Sequence, residues 1–303
     1  MQATDAALVQ LLKRDRVVIV AALAVLTVLA WAYVVSLSAQ MAMPTALSAA
    51  EISAAAVQSS DIAGMDMGID APASDGMAGM NTGGTGGPFA PAFGAWAPAD
   101  FAFMFAMWSV MMVGMMTPSV APTVLLYAAV GRKAAESGAP LASTGWFFAG
   151  YLAVWIAFSA LATFAQWALT SLALLTPMMA TASTVFGGVL LVAVGLYQWT
   201  PLKNTCLRAC QAPLDFLMAH GGFRVEPFGA VRLGVAHGTY CLGCCFALMA
   251  LLFVSGIMNL LWIAGLTILI LLEKVVPAGR LIPRISGALI GAAGILLLVR
   301  AAT

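Results

Sequence analysis

The chain has 303 residues, 62% of them hydrophobic and only 8% charged, with a formal net charge of +1. A soluble domain carries about 25% charged residues, so this composition excludes an ordinary water-soluble enzyme and leaves no room for a large soluble domain. The near-neutral balance leaves no electrostatic footprint for a nucleic acid.

A bilayer crossing takes about 20 apolar residues. Hydropathy therefore predicts an all-α polytopic transmembrane bundle of about seven spans, at roughly 17–38, 101–128, 142–170, 179–200, 232–254, 257–276 and 285–302. The first run follows Lys13, Arg14 and Arg16, as a signal peptide would. Val17 to Leu37 is longer than the about 7–15 apolar residues of a signal, so it reads as a helix. Residues 1–39 thus form an N-terminal transmembrane anchor, 40–100 a loop, and 101–303 a six-helix membrane domain.

The 40–100 loop has no basic residue but carries Glu51, Asp61, Asp66, Asp70, Asp75 and Asp100. "GMDMGIDAPASDGMAGMNTGGTGGP" places Met65, Met67, Met77 and Met80 among Asp and Gly, a composition that buries little apolar surface and predicts flexibility. "TALSAAEISAAAVQ" before it suits a short helix.

Span two opens with "FMFAMWSVMMVGMMTPS", holding Met104, Met107, Met111, Met112, Met115 and Met116. At helical spacing Met104, Met107, Met111 and Met115 share one face, while Met112 and Met116 lie on a neighbouring one. Methionine is both an apolar gap-filler and a soft thioether ligand suited to Cu(I). The six cover too wide an arc for all to serve one site, and the four on one face are the expected metal-facing edge. Pro118 and Pro122 are expected to kink the span's inner half.

The stretch 200–229, "TPLKNTCLRACQAPLDFLMAHGGFRVEPFG", reads as the longest inner loop, with a short interfacial helix around 203–220. It carries Cys206 and Cys210 at i, i+4 spacing. His220, before two glycines, reads as a helix-end residue. Span five holds "CLGCC". On a helix His237, Cys241 and Cys244 fall on one face, flanked by Cys245. With about 1.5 Å rise per residue, His237 lies about 7 Å and Cys244 about 18 Å from the inner boundary at Arg232. Counted from Asp100, Met104 lies about 6 Å and Met116 about 24 Å deep, so the two runs overlap near the midplane. Glu273 and Lys274 at the inner end of span six read as a snorkelling pair or as a relay. Asn259 opens that span as a cap or polar contact. Gly287 and Gly291 form a small-xxx-small pattern for close packing in span seven.

Twelve of the thirteen Lys and Arg residues fall on one side of this layout, Arg300 alone on the other. The positive-inside rule makes that side, and the N-terminus, cytoplasmic, with the long loop periplasmic. A sulfur gradient follows. Thioethers alone lie outside, methionines and the Cys/His stripe within the membrane, and Cys206 and Cys210 inside. Thioethers bind Cu(I) without deprotonation and form no disulfide in an oxidising compartment, whereas thiols persist in the cytosol. Each motif also has a plain packing reading, since Met and Cys are common small hydrophobes in helices.

"MWSVMMVGMMTPSVAP", "TPLKNTCLRAC", "CLGCCFALM" and "MNLLW…EK", in that order, resemble a family of bacterial integral membrane proteins of unknown function that are predicted to bind metal. The resemblance covers roughly 100–300 and implies metal association. Its ligands map to the methionines of 104–116, Cys206, Cys210, Cys241, Cys244 and Cys245.

The expected function is binding of a soft metal, Cu(I) ahead of zinc, for transport or delivery in the bacterial inner membrane. A copper chaperone or copper-dependent enzyme is the expected partner. Two other classes stay open: an accessory subunit of a larger membrane complex such as a copper-dependent oxidase or oxygenase, and a thiol oxidoreductase using Cys241 and Cys244. Haem is disfavoured, as His237 alone is a histidine placed within a span. The glycine run 83–87 lacks the lysine and helix of a nucleotide loop.

Overall fold

The computed structural model describes residues 17–39, 96–175, 181–257, 259–276 and 280–303. The Met/Asp loop with Met65, Met67, Met77 and Met80, the short helix expected before it, and Lys13, Arg14 and Arg16 lie outside the described residues.

Among the described residues the fold is all-α: α1 (Val17–Ala39), α2 (Pro98–Glu136), α3 (Thr144–Ser171), α4 (Thr184–Tyr197), α5 (Pro201–Gln211), α6 (Pro213–Ala219), α7 (Pro227–Ala250), α8 (Leu252–Ser255), α9 (Leu260–Val275) and α10 (Leu281–Ala302). The helix starts are written locally. Asp100 Oδ2 accepts from the Ala97 N–H at 2.8 Å. Ser183 accepts from Phe186 N at 3.2 Å, Thr200 from Lys203 N at 3.3 Å and Asn259 from Trp262 N at 3.2 Å. Proline occupies the first turn of α2, α5, α6 and α7, where its missing N–H is harmless.

Among the described residues five helical stretches are long and apolar enough to cross a membrane: Val17–Ala39, Pro98–Glu136, Thr144–Ser171, Pro227–Ser255 and Leu281–Ala302. The stretches expected at 179–200 and 257–276 are shorter helices. α4 has 14 residues and α9 has 16, rising about 21 and 24 Å against a core about 30 Å thick. α4 and α5 count as a sixth candidate only if taken as one span bent by 64° at the break between Tyr197 and Pro201. α2 continues as one helix through both Pro118 and Pro122.

The burial pattern suits an apolar solvent. Leu29, Leu161, Phe164 and Leu289 face outward, while Ser159, Thr163, Gln166, Lys203 and Glu273 are buried. Glycines set the closest helix pairs. A Cβ on Gly234 of α7 would fall 2.0 Å from the Phe147 carbonyl oxygen of α3, and one on Gly150 would fall 2.2 Å from the Val231 oxygen. α3 and α7 therefore touch backbone to backbone. The expected packing of Gly287 and Gly291 is observed: a Cβ on Gly195 of α4 would lie 2.8 Å from both the Gly287 oxygen and Gly291 Cα of α10.

Candidate functional site

The stretch 200–220, expected to hold one short helix, forms two, α5 and α6, and α5 is buried on one face and exposed on the other. It folds back against α7, burying Lys203, Cys206 and Leu207. Cys206 seats on Gly243, where an added Cβ would fall 2.7 Å from its sulfur. One turn on, Cys210 Sγ comes 4.0 Å from Cys244 Sγ. Cys241 and Cys245 adjoin them, so four sulfurs from two helices gather in the apolar interior. All five cysteines are free thiols. Cys244 and Cys245 each donate to the Cys241 carbonyl, at 3.0 and 2.8 Å, the back-bonding a small polar side chain makes inside a helix.

Cys241 is the junction. Its sulfur lies 2.9 Å from Lys274 Nζ of α9 and 3.1 Å from the Tyr151 hydroxyl of α3. Lys274 also donates to Ser119 Oγ at 3.1 Å, Ser119 donates to the Met116 carbonyl at 2.8 Å, and Tyr151 donates to that same carbonyl at 3.2 Å. Cys241, Lys274, Ser119, Met116 and Tyr151 thus close a ring across α7, α9, α2 and α3. The Gly150/Gly234 contact is what brings Tyr151 within reach of Cys241.

Glu273 and Lys274 are not a snorkelling pair. They are buried, at 2% and 6% exposure, and turn to different partners. Glu273 Oε2 pairs with Lys203 Nζ at 2.7 Å, the one ion pair among the described residues. Ser286 and Gln198 donate to Glu273 Oε1 at 3.2 and 3.4 Å, and Gln198 Oε1 accepts from Lys203. Gln211 at the other end of α5 donates to the Glu273 carbonyl at 2.7 Å. One residue therefore holds both ends of the helix that carries Cys206 and Cys210.

All six methionines of α2 are buried, so none faces lipid. Met104 Sδ accepts from Gln166 Nε2 at 3.5 Å, and Gln166 Oε1 accepts from Trp108 Nε1 at 2.7 Å. Met111 and Met115 line a crevice too tight for a water molecule, with Ala30, Trp31 and Val34 of α1 and Ile263 of α9. Met107 is buried within the same core. The methionine tied to the ring is Met116, outside the edge of four read from periodicity.

His237 sits on the same stripe of α7 as the cysteines, toward its N-terminus. Rings of Phe147, Tyr151 and Phe216 surround it, and Nε2 lies 3.5 Å from Thr123 Oγ1. Its Nδ1 is buried with no hydrogen-bond partner among the described residues. His220 caps α6, with Nδ1 2.8 Å from the Phe216 carbonyl, and borders two open cavities of about 590 and 390 Å³ beside Arg224 and Arg208.

The donors gathered here, thiols with an imidazole nearby, are of the soft kind. Sulfurs 4.0 Å apart subtend about 120° at a metal bonded to both at about 2.3 Å. An orphaned imidazole nitrogen lies on the same helix face. Among the described residues no group of three or more His, Cys, Asp or Glu side chains is placed so that it could hold a metal ion. Tyr151, Lys203, Ser119, Gln198 and Gln166 were not singled out from the sequence. Their signal was available, since a polar residue inside an apolar run asks for a partner.

Comparison with curated proteins and with solved structures finds no match to either. Residues 105–297 match the family PpoB2, described as a copper chaperone. That stretch is nearly two thirds of the chain and holds every member of the Cys241 ring, and the chain belongs to the PpoB2 copper-chaperone family.

Proposed function

We propose that this membrane protein binds Cu(I) as cargo between Cys210 and Cys244, with Cys241, Cys245 and His237 beside them, and hands it to a copper-dependent partner. The observation that carries this reading is the 4.0 Å approach of Cys210 to Cys244, from separate helices, next to a Cys241 sulfur held by Lys274 and Tyr151. Thiolates prefer soft cations, and burial away from water protects Cu(I) from oxidation and from competing ligands. Cys206, one turn back on α5, serves as the exit ligand toward the side of α5 and α6.

The sequence supports the rest of the path. Met65, Met67, Met77 and Met80 capture the ion outside, and Met104, Met107, Met111 and Met115 form the way in. The layout is seven passes in a bacterial inner membrane, N-terminus cytoplasmic, with α4 and α9 as short passes. Lys203 and Lys274 are buried rather than loop charges, yet ten basic residues still favour that orientation.

Metal analysis of the purified full chain after anaerobic Cu(I) loading tests the reading. One bound Cu(I), lost in Cys244→Ser but kept in Cys206→Ser, is the expected result. Wild-type protein that holds no copper would overturn it.

A further inference from the structure

The open cavity of about 590 Å³ at the start of α7 is walled by Arg224, Arg232 and Glu226, together with apolar Val225, Phe228 and Leu233. Two guanidinium groups against one carboxylate leave it with a positive excess. Neither arginine forms an ion pair among the described residues. Arg224 is fixed at both its main chain and its tip. Its carbonyl accepts from the Ala142 N–H at 2.9 Å, and its Nη2 donates to the His220 carbonyl at 2.5 Å. Its stem lies along Gly229, where an added Cβ would fall 3.2 Å from both Cβ and Cγ of Arg224. A guanidinium carries several N–H donors in a rigid fork, and His220 takes one of them. The Arg232 side chain is exposed at the same wall.

The place of the cavity narrows the ligand. α7 begins the stretch Pro227–Ser255, long and apolar enough to cross a membrane. The cavity stands at the first turns of that stretch, at the depth of lipid headgroups. Val225 and Phe228 are 68% and 71% exposed there. A free phosphate would use the two guanidinium groups and leave those apolar side chains in water. A phospholipid uses both, with its phosphate on the arginines and its acyl chain against Val225, Phe228 and Leu233. Basic pockets at the ends of membrane helices bind anionic headgroups, and a guanidinium fork matches phosphate oxygens in pairs.

We propose that this cavity binds the headgroup of an anionic phospholipid, with Arg224 and Arg232 donating to its phosphate. Such a site does not require the Cu(I) reading above. Glu226 borders the same cavity, and its carboxylate opposes an anion. A zwitterionic lipid would instead place its ammonium on Glu226, so the two lipid types respond to that residue with opposite sign.

Native mass spectrometry of the full chain in an uncharged detergent tests the site. The probes are dioleoyl phosphatidylglycerol, dioleoyl phosphatidylethanolamine and inorganic phosphate. One phosphatidylglycerol is expected to bind at least five-fold more tightly than phosphatidylethanolamine, and inorganic phosphate is not expected to displace it. Arg232→Gln breaks no ion pair within the protein and lowers that ratio at least three-fold. Arg224→Gln combined with Arg232→Gln abolishes the preference, and Glu226→Gln raises it. Arg280→Gln combined with Arg284→Gln removes the same charge from exposed positions at the start of α10 and leaves the ratio unchanged. If the Arg224 variant does not purify as a monodisperse species, Arg232→Gln and Glu226→Gln decide the matter, since both side chains are exposed. Equal binding of the two lipids, displacement by inorganic phosphate, a lower ratio in Glu226→Gln, or an equal loss in the Arg280 and Arg284 pair overturns the assignment.

Discussion

Glu273 reaches Lys203 across 2.7 Å in the buried interior, while its sequence neighbour Lys274 turns to Cys241 at 2.9 Å. Two adjacent residues thereby serve different tasks. The first fastens α5 to α9, and the second ties α9 to the Cys241 sulfur of α7.

Glu273→Ala leaves the Lys203 ammonium without its anion. Removing one partner of a buried pair costs about 3–5 kcal/mol, and thermal unfolding in detergent is expected to show a loss of that order. Replacing both residues, as Lys203→Met with Glu273→Leu, recovers most of it. Maleimide labelling of Cys206 and Cys210 speeds up in the single variant, because the N-terminal end of α5 is released. Unchanged labelling would show that the pair does not hold α5.

Cys210→Ser tests whether the α5 thiol is a ligand or a neighbour. With Cys210 4.0 Å from Cys244, its loss is expected to weaken Cu(I) affinity at least ten-fold in a chelator competition. Affinity within two-fold of wild type would leave the site on α7 alone.

Gly234→Ala forces a methyl into the Phe147 carbonyl, 2.0 Å away. Overpacking of this kind costs about 1–3 kcal/mol, and by separating α3 from α7 it carries Tyr151 off Cys241, lowering Cu(I) affinity. Gly265→Ala on α9 is the control. Nothing lies within 4 Å of the added carbon, so the helix is expected to gain up to about 1 kcal/mol.

Gln166→Leu leaves the Trp108 N–H buried without its 2.7 Å acceptor, a cost of about 1–3 kcal/mol. The methionines differ. Met104, Met107, Met111 and Met115 replaced together by Leu keep near-native volume, each swap costing under about 1.5 kcal/mol. Equilibrium Cu(I) affinity is expected to hold while the rate of loading from outside in proteoliposomes drops. A loading rate equal to wild type would make those four side chains packing only.

Much of the site was legible one helix at a time. His237, Cys241, Cys244 and Cys245 fall on one stripe because i, i+4, i+7 and i+8 share a face, and no tertiary contact can change that. The edge of Met104, Met107, Met111 and Met115 was legible in the same way, but what it meets was not. α1 and Ile263 cover Met111 and Met115, and Met116, on the neighbouring face, joins the ring. Glu273 and Lys274 misled as a pair. Successive helical side chains diverge by about 100°, so adjacency in the chain says nothing of a shared partner.

What the sequence by itself determined is local or compositional: an all-helical membrane chain, because apolar runs of that length can satisfy their backbone only as helices in lipid, with its thiols and thioethers at known heights along them. What only the tertiary structure decided is which helices touch. Cys210 and Cys244 are 34 residues apart and meet because α5 folds back on α7. Lys203 and Glu273, and the bare surface of Gly243, favour that approach. Such a choice depends on the shape and charge of two distant surfaces at once, and no periodicity within either helix encodes it.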